Sequence, residues 1–208
     1  MPSHDNPSSP SGAANIVAVA HQVTAAERAT QAGHSGAVVW LTGLPASGKS
    51  TLAMALERSL FEQGWRAYTL DGDNVRRGLN ADLGFSPEER QENIRRIGEI
   101  AALFADAGTI CIAAFISPYR EDRTRARAAA GQRRFFEVHV NSGLATCERR
   151  DPKGHYRKAR AGQLRDFTGV DAPYEAPANP DLAIDTETQD VDACVAQLLA
   201  FVVARCGA

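Results

Sequence analysis

The sequence predicts a three-layer α/β domain, with a five-stranded parallel sheet covered by helices on both faces. Three observations carry this expectation. Five short apolar runs are separated by segments that read as helices. The runs suit strands buried on both faces. The first run ends in a glycine-rich turn, Gly43-Leu44-Pro45-Ala46-Ser47-Gly48, that opens directly into a helix-forming segment.

Residues 1–14 are rich in Pro, Ser and Gly and are expected to form a disordered tail. Residues 15–35 form an N-terminal extension, read as a strand over 16–20 and a short helix after Thr24, where Thr24-x-x-Glu27 resembles a capping box. The domain proper runs over 36–208. Residues 37–42 are an apolar strand. Residues 49–63 are a helix with Leu52, Leu56 and Leu60 on one face and Gly64 to end it. Residues 65–70 form a second strand that leads into Asp71-Gly72-Asp73. Ser86-Pro87-Glu88-Glu89 combines a Ser cap, a first-turn Pro and a Glu three after the cap, so a helix starts there. Behind it Ile94, Ile97, Ala101 and Phe104 recur at helical spacing, and Gly108 can stop the helix. The remaining strands fall at 109–116, 135–140 and 182–185, and the remaining helices at 119–130 and 191–205.

A chain of 208 residues, 44% hydrophobic and 23% charged, fits one domain with a real core. The net charge of −2 gives no global pull toward nucleic acid or an anionic membrane, so an anionic ligand needs local positive charge. The longest apolar stretches are too short to span a bilayer. No Lys or Arg precedes an apolar N-terminal core, so the expected setting is cytoplasmic. Cys111, Cys147, Cys194 and Cys206 show no C-x-x-C spacing and read as small buried hydrophobes.

Residues 43–50 satisfy G-x-x-x-x-G-K-S, and Thr51 continues the motif into the helix. A tight turn between strand and helix aims backbone N–H groups at phosphate oxygens, and the helix dipole adds favourable potential. Lys49 supplies charge for the β- and γ-phosphates of ATP, and the Ser50 hydroxyl can ligate Mg²⁺. The absence of an N-K-x-D guanine-reading tetrapeptide argues against a GTP switch. Asp71, Asp73 and Arg76 follow the second strand, where open α/β sheets place ligands. A carboxylate there can take or orient a hydroxyl proton, and Arg76 can bind an anion. Taken alone, D-G-D-N is also ordinary turn chemistry. Arg90 and Asn93 share a helix face at or beyond the edge of the core stripe, which reads equally as solvated surface. Residues 149–165 are strongly basic, as a lid over a transferring phosphoryl group requires, although charge runs are usually solvated helix faces.

Together these residues resemble the adenylylsulfate kinase (APS kinase) family. The likeness covers most of the chain and is most specific in D-G-D-N-V-R-R, F-I-S-P-Y-R, the 150–162 segment and D-F-T-G-V-D-A-P-Y-E-A-P-A-N. The resemblance implies transfer of the γ-phosphoryl of ATP to the 3′-hydroxyl of adenosine 5′-phosphosulfate (APS). It also implies ATP and Mg²⁺ on residues 43–51 and Asp73 as base or orienter, with Asp71 beside the metal region. Arg76, Arg90 and Asn93 contact the phosphosulfate side, Phe85 and Phe167 sandwich the adenine, and Lys158 contacts substrate from the lid. Ser117 matches the family's phosphoserine position, although no base adjoins it in sequence, and a structural role fits it better. A homodimer is implied, and an ATP sulfurylase is a candidate partner. The rivals are a catalytically silent APS-binding module and a kinase of another small nucleotide. The chain departs from the family pattern at Pro45-Ala46 (Ser-Gly is more usual), at His155, where an aliphatic residue is commoner, and before Gly36.

Overall fold

The computed structural model describes residues 17 and 19–207. The tail expected over 1–14 lies outside the described residues. So do Ile16 and Ala18 of the strand expected at 16–20, and its described members Val17, Val19 and Ala20 form no strand. These side chains are exposed, so no buried face holds them extended.

Helix α1 (Ala25–Ala32) begins at the expected capping box, in which Thr24 and Glu27 exchange side chain-to-backbone hydrogen bonds. The nucleotide-kinase-like core follows as β1 (Ala37–Thr42), α2 (Lys49–Glu62), β2 (Ala67–Asp71), α3 (Gly72–Val75), α4 (Pro87–Asp106), β3 (Ile110–Ala114), α5 (Arg120–Ala130), β4 (Arg134–Asn141), α6 (Leu144–Arg150), α7 (His155–Arg160), β5 (Leu182–Asp185) and α8 (Val191–Cys206). The five strands form one parallel sheet of order β2-β3-β1-β4-β5.

Alternation along β1 explains the three layers. Ala37, Val39 and Leu41 face a core shared with Leu52, Leu56 and Leu60 of α2 and with Leu198 and Val202 of α8. Val38 and Trp40 face the opposite core, with Ile94, Ile97 and Ala101 of α4 and Ala126 of α5. Every residue of β1 is buried, which is why the strand reads as a continuous apolar run.

Three short helices are absent from the pattern-based expectation. α3 is four residues long, α6 runs into the basic segment and α7 lies within it, where charge hides a helical period. The start of α4 is the expected one. Ser86 accepts from the Glu89 amide, the Glu89 carboxylate accepts from Ser86, and Pro87 fills the first turn.

The chain fills one side of β1 first, with β2 at the edge and β3 inserted between them, then the other side with β4 and β5. Ligands of open parallel sheets bind at such a reversal, beyond the carboxyl ends of the strands. The strand ends deliver Gly43, Asp71, Phe115, Ser142 and Thr186 to that edge.

Candidate active site

The glycine-rich turn folds as a cradle that only certain residues permit. A Cβ on Gly43 would lie 2.5 Å from the Val140 carbonyl oxygen, and Gly48 has φ +101°. Ala46 also takes a left-handed φ, 61°, where its Cβ costs on the order of 1 kcal/mol. Neighbours hold it there. The Ser47 amide donates to the Leu44 carbonyl at 3.1 Å, and the Tyr156 hydroxyl donates to the Pro45 carbonyl at 3.0 Å. Leu44 and Ala46 pack on a small cluster of Cys147, Tyr156, Ala159 and Phe167. Thr186, just past β5, donates from its hydroxyl to the Ser47 carbonyl at 2.8 Å.

Lys49 is buried, and its ammonium folds back on this turn. Nζ donates to the carbonyls of Gly43 at 3.0 Å and Leu44 at 2.7 Å, and to Ser47 Oγ at 3.4 Å. Burial lowers its pKa to about 8, although Asp71 and other neighbours pull the other way. The charge is poised to exchange carbonyl partners for an anion.

Asp71 joins the turn to the next strand end. Its Oδ2 accepts from Ser50 Oγ at 2.7 Å, and its Oδ1 accepts from the Asp73 amide at 3.0 Å, capping α3. Asp71 is buried, whereas the Asp73 carboxylate is exposed and ion-paired with Lys153 from the basic segment. D-G-D-N, ordinary turn chemistry when taken alone, forms the N-cap and opening residues of α3.

The third group rises from α4 and the loop before it. Arg76 lays its guanidinium 4.4 Å over the Phe85 ring and donates to the carbonyls of Leu83 and Gly84 at 3.0 and 2.8 Å. Desolvation lowers the Arg76 pKa, with nearby Arg90 adding to the effect. Arg90 donates to the Phe85 carbonyl at 2.8 Å, to the Asp166 carbonyl at 2.6 Å and to Thr168 Oγ1 at 3.3 Å, tying the two phenylalanine-bearing segments together. Phe85 is exposed, whereas Phe167 is buried edge-on against Tyr156, with ring centroids 5.0 Å apart. Asn93 is also buried, so the solvated-surface alternative fails for it: the loop carrying Asn80 covers that part of α4.

Known proteins share this sequence and fold. A family model described as Adenylylsulphate kinase matches residues 35–185. Curated relatives include an adenylyl-sulfate kinase of Shewanella amazonensis, 54% identical over 91% of this chain and 96% of the relative. Another, from Geotalea uraniireducens, is 56% identical over 92% of each chain. Among solved structures, Mycobacterium tuberculosis APS kinase CysC in complex with AMPPNP and APS superposes with a TM-score of 0.77, at 49% identity over 80% of this chain and 97% of that one. The chain belongs to the adenylylsulfate kinase family. A gluconokinase of Sinorhizobium meliloti, at 18% identity and a TM-score of 0.53, shares the fold alone.

Two further residues expected at the site lie apart from these clusters. Lys158 is exposed on α7, in the same basic segment as Lys153. Ser117 is buried in the F-I-S-P-Y-R stretch with φ 39°. Its Oγ accepts from the Trp40 indole N–H at 3.1 Å, and its carbonyl accepts from Arg123 at 2.7 Å. Arg123 is itself paired with Glu137 at 2.6 Å, so the strained backbone is over-determined. Tyr156, Thr186 and Asn80 support the site without having been predicted for it. Thr186 had a legible signal, its place just past a strand end. The other two act through tertiary contacts that no spacing rule encodes.

Proposed function

We propose that the chain binds ATP on residues 43–51 and transfers its γ-phosphoryl to the 3′-hydroxyl of adenosine 5′-phosphosulfate, giving 3′-phosphoadenosine 5′-phosphosulfate and ADP. The observation that carries this reading is the chain of hydrogen bonds from Ser50 through Asp71 to Asp73, at 2.7 and 3.0 Å. It joins the triphosphate cradle to Asp73, whose exposed carboxylate lies in the first turn of α3.

The steps assigned to this chain's own groups are few. The turn's amides and the Lys49 ammonium hold the triphosphate, with Lys49 leaving the carbonyls of Gly43 and Leu44 for phosphate oxygens. Asp73 orients the 3′-hydroxyl and accepts its proton as O3′ bonds to the γ-phosphorus and the β–γ bridging oxygen leaves with ADP. Lys153, now on Asp73, moves to the transferring group when substrate displaces it. Phe85 and Phe167 recognise the flat base, and Arg76, Arg90, Asn93 and Lys158 serve the anionic end. Arg90 as found here acts on the loop backbones, so part of its contribution is to position both aromatics.

Ser50 and Asp71 are adjacent hard-oxygen donors and fit Mg²⁺, which takes one or two protein oxygens and otherwise phosphate and water. Held by Ser50 and Asp71, Mg²⁺ would supply charge neutralisation for the triphosphate. The Mycobacterium relative carries both AMPPNP and APS, which supports the two-substrate reading. Residues 36–208 serve as the kinase domain and 149–165 as its lid. A cytoplasmic homodimer, with an ATP sulfurylase supplying its substrate, is the setting this reading favours. Among the described residues no helix is long and apolar enough to cross a membrane.

The test is ADP release from Mg-ATP with APS, AMP or shikimate as acceptor. Turnover with APS alone, lost in Asp73→Ala, is expected. Binding of APS without turnover would establish a silent module instead.

A further inference from the structure

Asn80 has no catalytic or substrate-binding role assigned above, yet it is fully buried. Its Nδ2 donates to Asn93 Oδ1 at 2.9 Å, and its Oδ1 has no partner among the described residues. A buried amide oxygen left unsatisfied is costly, and an aliphatic residue would avoid the cost. The backbone explains how the side chain is aimed. The Asn80 amide donates to the Val75 carbonyl at 2.9 Å, and its carbonyl accepts from the Leu83 amide at 3.2 Å. The loop is pinned again by Arg96, which donates to both carboxylate oxygens of Asp82 at 2.8 and 2.9 Å. Asn80 therefore reaches α4 from a rigid turn.

An Asn side chain has one accepting and one donating end. Asn80 occupies the accepting end of Asn93, and Asn93 Nδ2 makes no hydrogen bond among the described residues. We infer that Asn80 is a positioning residue: it fixes the Asn93 amide so that its N–H groups, and not its oxygen, face the anionic end of the acceptor. Turned the other way, Asn93 would present an oxygen to a phosphosulfate and repel it. The inference rests on the reading of Asn93 as an acceptor contact.

The experiment is steady-state kinetics on the full chain, with APS varied at saturating Mg-ATP and the reverse. The variants are Asn80→Ala, Asn80→Asp, Asn93→Ala and the doubles. Asn80→Ala is expected to raise KM for APS about 10-fold, the effect of a lost hydrogen bond to a charged group, with kcat and KM for ATP near wild type. Asn80→Asp, which can only accept, should turn Asn93 round and raise that KM further. On the Asn93→Ala background neither substitution should add anything, because the route through Asn93 is gone. An undiminished effect on that background, or a loss spread equally over kcat and both KM values, overturns the assignment. Asn80→Ala keeps the test decisive if the aspartate variant fails to fold. If Asn93→Ala leaves KM for APS unchanged, the acceptor contact itself is wrong. If Asn93→Ala raises it and the Asn80 variants do not, only the positioning role falls.

Discussion

The Tyr156 hydroxyl donates to the Pro45 carbonyl at 3.0 Å, joining the basic segment to the apex of the phosphate cradle. The same ring packs edge-on against Phe167, so one side chain touches both the turn proposed to hold ATP and the aromatic proposed for the acceptor base. Burial raises the Tyr156 pKa, so the phenol stays protonated and a donor across the working range. Tyr156→Phe removes the hydrogen bond and keeps the packing. Stability should fall by about 1 kcal/mol, and KM for ATP should rise while KM for APS changes little. A rise in KM for APS alone would show that the packing on Phe167, not the tie to Pro45, is what matters.

Lys49 gives a pH signature. An exposed lysine titrates near 10.4, and burial brings this one down to about 8. The unfolded chain therefore binds more protons than the folded one between about pH 8 and 10, so stability rises with pH across that window, by up to about 3 kcal/mol. Phosphate oxygens favour the charged form, so binding Mg-ATP at pH 8.5 should draw in a proton. Calorimetry in two buffers of different ionisation enthalpy reads this uptake, and Lys49→Met should abolish it. Zero uptake in the wild type would mean that the ammonium is already fully charged in its nest of carbonyls.

The two phenylalanines should separate in their effects. Phe85 is 66% exposed and Phe167 only 8%. Phe85→Ala should leave the melting temperature nearly unchanged and weaken APS binding by the worth of one stacking face, about 1–3 kcal/mol. Phe167→Ala should cost binding and also about 3–5 kcal/mol of stability, because its ring fills the cluster beneath the cradle. Equal destabilisation by both would contradict the packing described above.

Ser117 is held where a nucleophile is poorly served. Its hydroxyl is buried and occupied by the Trp40 indole N–H. Ser117→Ala orphans that donor, so stability should drop by about 1–3 kcal/mol with kcat close to wild type below the melting transition. Mass spectrometry after incubation with ATP alone should find this side chain unmodified. A stable phosphoserine there, together with a collapse of kcat in the alanine variant, would require a covalent intermediate instead of direct transfer.

Much of this molecule is local and so is written in the sequence. The five strands, the Ser86 and Thr24 caps and the 43–50 turn each depend on neighbouring residues and on a period of 2 or 3.6, and a linear pattern records both. The family resemblance added the list of candidate site residues but not their state. Tertiary structure alone decided that Asn93 is buried under the Asn80 loop, that Arg90 clips the distant Asp166 backbone to that of Phe85, and that Lys49 loses its solvent. It also hid α6 and α7, whose charged residues mask the few buried ones, Thr146, Cys147, Tyr156 and Ala159. The division has a physical cause. Secondary structure follows from sterics and burial periodicity along the chain, whereas burial of a charge or the turning of an amide is set by contacts between separate elements and loops, made only when the sheet is assembled.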